Sequence, residues 1–298
     1  MSEDLEFLLS LLLSGASIGL MYSLIALGFV LVYKATDAIN FAQGEFVMLA
    51  GFVVVVVLGF EGMPLLAAIV AVLAAMICFG FGLERVVLRP LLGRPVVAVI
   101  MATIGLAAIL RGLGPVVFGK EVRAIALPIG DEPITLGPAT LPPIQVLGAV
   151  VAIAFFIGFS WFFKKSRMGV AMRAVADNQQ VAQAMGIDVE RYFALAWAMA
   201  GIVSALGGIV WGAMLGVDVQ LALVGLKVFP VVIMGGLDSI GGALVGGLII
   251  GIIESLAAGY LDPYVGGGTK DFAPYVVMIL MLMVRPYGIF GRRQIERV

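Results

Sequence analysis

Histidine is absent from the 298 residues, and cysteine occurs once, as Cys78 inside an apolar run. That argues against a metal cluster, an internal disulfide or a Cys–His nucleophile, and leaves Cys78 as a small packing residue. Charge is scarce as well. Only 12% of residues are Asp, Glu, Lys or Arg, against about a quarter in an average soluble domain. The formal net charge of −1 lacks the basic excess of a nucleic-acid binder. No G-x-x-x-x-G-K-[ST] occurs, so ATP phosphates have no usual cradle in this chain. Gly266-Gly267-Gly268-Thr269-Lys270 holds the ingredients in the wrong order and reads as a flexible external turn. With no metal constellation and no strand-to-helix G-x-S-x-G elbow, no catalytic residue and no metal ligand is assigned.

What fills the chain instead is hydrocarbon. Hydrophobic residues make up 62% and mean hydropathy is +1.15. Apolar runs of about 20 residues are the length a helix needs to cross a bilayer. The 39 glycines are nearly twice the average share of about 7%, and glycine lets membrane helices approach closely. The expected fold is an all-α polytopic membrane protein, a single transmembrane domain over 1–298. Its expected spans are 8–33, 44–60, 64–83, 96–118, 142–163, 192–215, 240–258 and 272–290, about eight helices. A short stretch, 221–236, either crosses or re-enters. The N-terminal MSEDLEF is acidic, unlike the start of a cleavable signal peptide, so the first segment is expected to be retained.

Basic residues in short loops set the expected orientation. Arg85, Arg89 and Arg94 share one loop, Lys164, Lys165, Arg167 and Arg173 another, and Arg292, Arg293 and Arg297 lie at the end. All three are expected on the cytoplasmic side, which leaves the C-terminus inside. The loop 119–141, with Asp131, Glu132, Pro128, Pro133 and Pro138, is expected outside. An outside N-terminus then requires 221–236 to cross. A faint echo joins two segments: Ala38 to Phe52 and Gly236 to Gly251 both set a polar turn before a glycine-spaced apolar helix, suggesting a two-part pseudo-repeat.

Lys164 to Arg191 is the longest polar island. Asp177-Asn178 precedes a two-turn stretch, Gln179 to Met185, that Gly186 stops. An acceptor side chain ahead and a glycine behind mark a helix's two ends. A short helix held on a loop beside the membrane suits insertion into another protein's groove.

Three stretches together, MYSLIALGFVLVYKATDAINFAQGEFVMLAGF, MGVAMRAVADNQQVAQAMGIDVER and GGLDSIGGALVGGLIIGIIES, resemble the LivH-type permease subunits of bacterial branched-chain amino acid ABC importers. The resemblance runs in order along nearly the whole chain. It implies a multi-pass protein of the bacterial inner membrane. The implied partners are a second permease subunit, two cytoplasmic ATPase subunits that hold ATP and Mg, and an extracytoplasmic solute-binding protein. It also implies that 164–191 is the coupling loop. Only Arg173 and the Ala182-x-x-x-Gly186 positions are carried over from the family. Val181, Ala182, Met185 and Gly186 would then occupy an ATPase groove, while Arg173 meets an acidic rim or braces the loop. The competing reading lays this loop helix on the lipid surface.

Ionisable groups at bilayer depth are costly and usually face protein or water. Asn40, Gln43 and Glu45 cluster at the start of the second span, Arg111 lies in the fourth, and Lys227 and Glu254 occupy later apolar stretches. Asn40, Gln43, Glu45, Lys227 and Glu254 are candidates for lining the translocation path. For Asn40 and Gln43 the plainer role is capping and interhelical bonding, and Lys227 and Glu254 could pair structurally. A different class stays open, an ion-coupled secondary carrier of small polar solutes in which Glu45 and Glu254 relay protons.

Overall fold

The computed structural model describes residues 3–60, 62–91, 93–130, 132–137 and 139–291. The chain is helical nearly throughout. Its helices are α1 Glu3–Thr36, α2 Gln43–Leu58, α3 Leu65–Leu83, α4 Val96–Phe118, α5 Pro143–Lys165 and α6 Arg167–Asp177, followed by α7 Gln179–Ala184 and α8 Val189–Leu215. The last four are α9 Leu223–Gly235, α10 Ile240–Leu256, α11 Asp262–Val265 and α12 Thr269–Val284. A π-helical turn, Glu84–Leu88, extends α3, and a second, Ala257–Leu261, joins α10 to α11. Between α4 and α5 a small hairpin pairs β1, Ile134–Leu136, with β2, Ala139–Leu141.

Among the described residues six helices are long and apolar enough to cross a membrane, so the chain is a multi-pass helical membrane protein. The expected count of eight is not reproduced on that measure. α2 has 16 residues and spans about 24 Å at 1.5 Å per residue, short of a hydrocarbon core of roughly 30 Å. The stretch Val219–Gly235 is likewise short. α12 ends at Val284 because Arg285-Pro286-Tyr287-Gly288 turns the chain, with Gly288 at φ 77°. The tail arginines Arg292, Arg293 and Arg297, like Asp131 and Pro138, lie outside the described residues.

Two compact units divide the chain. The first comprises 1–30, 128–153 and 227–298. Here α1 and α10 meet along small residues, with Gly15, Gly19 and Ser23 on one helix and Gly247, Gly251 and Ser255 on the other. A Cβ added at Gly15, Gly19, Gly247 or Gly251 would lie within 3.0 Å of the opposing backbone. Ser23 Oγ donates to its own helix at Gly19 O (2.8 Å) and across to Leu244 O (3.2 Å). Close backbone approach and a hydroxyl bond across it are how membrane helices associate without a hydrophobic drive between them. Gly15-Ala16-Ser17-Ile18-Gly19 does spell G-x-S-x-G, but inside α1, where Ser17 Oγ donates to Leu13 O at 2.9 Å. A helix interior is no nucleophile elbow.

The second unit comprises 31–127 and 154–226. α8 is its core helix, buried over most of its length, whereas α4 is largely exposed. Gly80 of α3 and Gly201 of α8 each abut the other helix's backbone, and Gly208 of α8 abuts α2 at Val47. Gly44 of α2 sits against Ala222 and Gly225. Phe46 packs edge-on against Phe79, and Phe52 stacks on Phe118 at 4.9 Å. The two echoing segments fall one in each unit, and each begins a helix after a polar turn.

Candidate functional site

The chain breaks between α1 and α2, and Asp37 there has φ 53°, the one positive value at a non-glycine residue among the described residues. Asn40 and Gln43 are fully buried and Glu45 nearly so. Asn40 Oδ1 accepts from Ala42 N at 3.1 Å, and Asn40 Nδ2 donates to Gln43 Oε1 at 3.1 Å. Gln43 Nε2 in turn donates to Ser204 Oγ on α8 at 2.9 Å. Ser204 Oγ donates to Ala200 O at 2.8 Å. On the other flank Phe41 N donates to Thr103 Oγ1 on α4 at 3.2 Å. Glu45 forms an ion pair with Arg111, also on α4. The break is therefore held by side chains from α4 and α8, which is how non-helical backbone is tolerated at membrane depth. Asn40, Gln43 and Glu45 do come together: Asn40 bonds locally within the turn, while Gln43 and Glu45 reach across to α8 and α4. Ser204 and Thr103 were not singled out from sequence, since each is one hydroxyl among apolar neighbours.

Lys227 and Glu254 also meet, in the first unit, at 3.1 Å. Lys227 Nζ is shared with Asp271 Oδ1 at the start of α12, at 2.7 Å. Glu254 is 8% exposed, and its Oε2 has no hydrogen-bond partner. Tyr22 of α1 lies near the same carboxylate. One ammonium thus serves two carboxylates, and the buried group carries an unsatisfied oxygen. Such a group costs free energy unless something else completes it.

The polar island contains two helices, of which the sequence reading found one. α6 is capped by Ser166, whose Oγ accepts from Gly169 N at 2.8 Å. Gly169 lies against the Phe162 and Phe163 backbone, so the chain doubles back tightly. Arg173, on α6, donates to the Phe163 carbonyl and stands over its ring at 5.5 Å. Both contacts tie α6 to the end of α5.

α7 has the expected boundaries within a residue. Asn178 Oδ1 accepts from Val181 N at 2.9 Å, and Gly186 takes φ 81°. Val181 (58%) and Met185 (79%) are exposed, and so is Gly186. Ala182 is 3% exposed. It turns inward to its own chain, so the outward surface carries Val181, Met185 and Gly186 beside Gln180, Gln183 and Ala184, without Ala182. Gln179 Nε2 donates to Ala35 O at 3.1 Å, tying the first residue of α7 to the last turn of α1.

Long apolar helices, glycine contacts and buried polar clusters at helix breaks define the class, a polytopic helical membrane protein with no metal-binding group among the described residues. The comparison with known proteins goes further. The family described as "Branched-chain amino acid transport system / permease component" matches residues 11–284, and the chain belongs to it. The high-affinity branched-chain amino acid transport system permease protein LivH of Escherichia coli (strain K12) is 31% identical, with 100% of both chains covered. BraD of Pseudomonas aeruginosa, a permease protein of the same description, is 30% identical over 96% of this chain and 97% of its own. A probable LivH of Methanocaldococcus jannaschii is 31% identical over 90% and 88%.

Proposed function

We propose that this chain is the permease subunit of an ATP-driven importer of branched-chain or closely related amino acids. It forms the solute pathway with a second permease subunit. Two cytoplasmic ATPases hold ATP and Mg, and an extracytoplasmic binding protein delivers solute. The basic loops, α7 and the C-terminus lie on the cytoplasmic side of a bacterial inner membrane, and lipid surrounds the exposed faces of α4 and α5. The observation that carries the reading is α7. A capped helix holds two exposed apolar side chains, Val181 and Met185, on a polar loop of a chain that has no phosphate-binding loop of its own.

In this reading Val181, Met185 and Gly186 enter the ATPase groove. Ala182 and Arg173 hold the helix to the body, and Gln179 passes its movement to the break between α1 and α2. Lys227 and Glu254 border the path, because the unsatisfied Glu254 oxygen can accept a passing ammonium. Asn40, Gln43 and Glu45 hold the break between α1 and α2 within the second unit. Glu45 is a poor proton relay while Arg111 holds its carboxylate, which disfavours the ion-driven carrier. The test is reconstitution of the whole complex in vesicles. Leucine uptake is expected only with ATP on the ATPase side. Uptake by this chain alone after an imposed pH step would sink the proposal.

A further inference from the structure

A cavity of about 230 Å³ opens in the second unit, beside the end of α1, the turn after α3 and the first residue of α7. Leu88, Val99 and Phe193 supply apolar lining, while Asp37, Glu84 and Arg94 bring three ionisable groups. Glu84 is already answered, because Arg89 holds its buried carboxylate at 3.1 Å. Asp37 and Arg94 have no ion-pair partner among the described residues, neither each other nor a third group. Asp37 is open to solvent on one side and shielded on the other, and that shielding pushes its carboxyl above the usual carboxylate range. A cation beside it would reverse that push.

The cavity therefore presents one anion and one cation, both solvent-exposed and neither in an ion pair, among apolar lining residues. Drug-sized ligands need roughly 300–1,000 Å³, so a nucleotide or a peptide is too large for it. An inorganic ion would answer one of the two charges and leave the apolar lining empty. A free α-amino acid with an aliphatic side chain answers all three features at once. We infer that this cavity binds such an amino acid, with Asp37 receiving the ammonium, Arg94 the carboxylate, and Leu88, Val99 and Phe193 the side chain. The guanidinium fork matches a carboxylate in two-point geometry, and the apolar lining selects the side chain. The choice of ligand class rests on the transport reading above. Gln179 also lines the cavity, so the site shares a wall with the helix proposed to dock the ATPases. Solute gathered on the side of the basic loops would bear directly on that helix.

The test uses the purified complex without its binding protein, held in nanodiscs, with radiolabelled leucine as the probe. Saturable binding is expected. Arg94→Gln and Asp37→Asn should each weaken it at least tenfold, and Arg94→Lys should lose less than Arg94→Gln. Isocaproate, which lacks the ammonium, and isoamylamine, which lacks the carboxylate, should fail to compete. Gel filtration with retained ATPase subunits establishes that each variant is assembled. A wild-type complex that shows no saturable binding overturns the inference, as does leucine affinity unchanged in both assembled variants. Uptake with the binding protein present reports separately on the transport reading. If aliphatic amino acids are not transported, that reading falls and the variants still decide the cavity.

Discussion

Glu45 in the second unit and Glu254 in the first are both buried carboxylates, and the two are treated differently. Glu45 has Arg111 to itself, beside an amide chain, Asn40 to Gln43 to Ser204, in which each side chain hands a hydrogen bond to the next. Glu254 shares Lys227 with Asp271 and keeps one oxygen unsatisfied. A satisfied buried network rigidifies, whereas a partly satisfied one leaves capacity for another group. The same residue type thus serves as a brace in one unit and is left available in the other. Glycine packing, by contrast, is used alike by both.

The largest expected effect tests that likeness. Gly247→Leu in the first unit and Gly44→Leu in the second both force a side chain into opposing backbone. Both should abolish monodisperse protein in a fluorescence gel-filtration assay. Gly82→Leu, where nothing lies within 4 Å, should leave the elution profile unchanged. A fold that tolerates one of the first two would mean that the units are not packed by the same device.

Removing the cations should separate brace from available group. Breaking a buried pair costs about 3–5 kcal/mol, and Arg111 is about half exposed, so Arg111→Gln should destabilise by about 2–3 kcal/mol. A fall of several degrees in the thermal midpoint is expected. Lys227→Gln should also lower the midpoint and cut uptake at least tenfold, because Glu254 and Asp271 then face each other with no shared ammonium. If Lys227→Gln proves the more unstable variant and still transports, Glu254 is the brace.

Gln43→Leu strands the Asn40 NH2 group and removes the donor to Ser204 Oγ, which keeps its own bond to Ala200 O. Each buried polar group left without a partner costs about 1–3 kcal/mol, so a measurable drop in midpoint is expected, with transport falling in proportion to folded protein. Transport lost without any change in midpoint would instead put Gln43 on the solute path.

The smallest effect on stability is expected at α7. Met185→Glu alters an exposed side chain and should leave the midpoint unchanged while the ATPases dissociate or hydrolyse without uptake. Ala182→Glu drives a carboxylate into the body of the loop and should lower the midpoint. Retained ATPase binding and solute-stimulated hydrolysis in Met185→Glu would return α7 to the lipid surface.

Much of this was legible from sequence because hydrophobicity and capping are local. A run of apolar residues dictates a buried or lipid-facing helix wherever it lies, and Asn178 and Gly186 mark the ends of α7 by their own backbone preferences. Membrane class, most helix positions and the presence of the loop helix follow from such signals. Family likeness rests on the same stretches. The site was legible as a set of unusual residues, not as an arrangement. α6 escaped notice because its apolar side is carried by Met172 and Val175 within a polar stretch, and its cap, Ser166, is a single residue.

What only the tertiary structure decided is partnership and direction. Glu45 finds its cation 66 residues away and Gln43 its acceptor 161 residues away. No local rule ranks Arg111 above the other basic residues. Ala182 and Val181 are adjacent and similar in polarity, yet one is buried and the other exposed, because α7 is anchored through Gln179 to the end of α1. Asp37 and Arg94 lie 57 positions apart in the sequence and come to one cavity only through the packing of α1 beside the turn after α3. Local chemistry determined which helices form, since each backbone must satisfy its own hydrogen bonds in hydrocarbon. Which polar groups met across them was settled by long-range close packing, where glycine contacts fix the distance between helices and so the partners each side chain can reach.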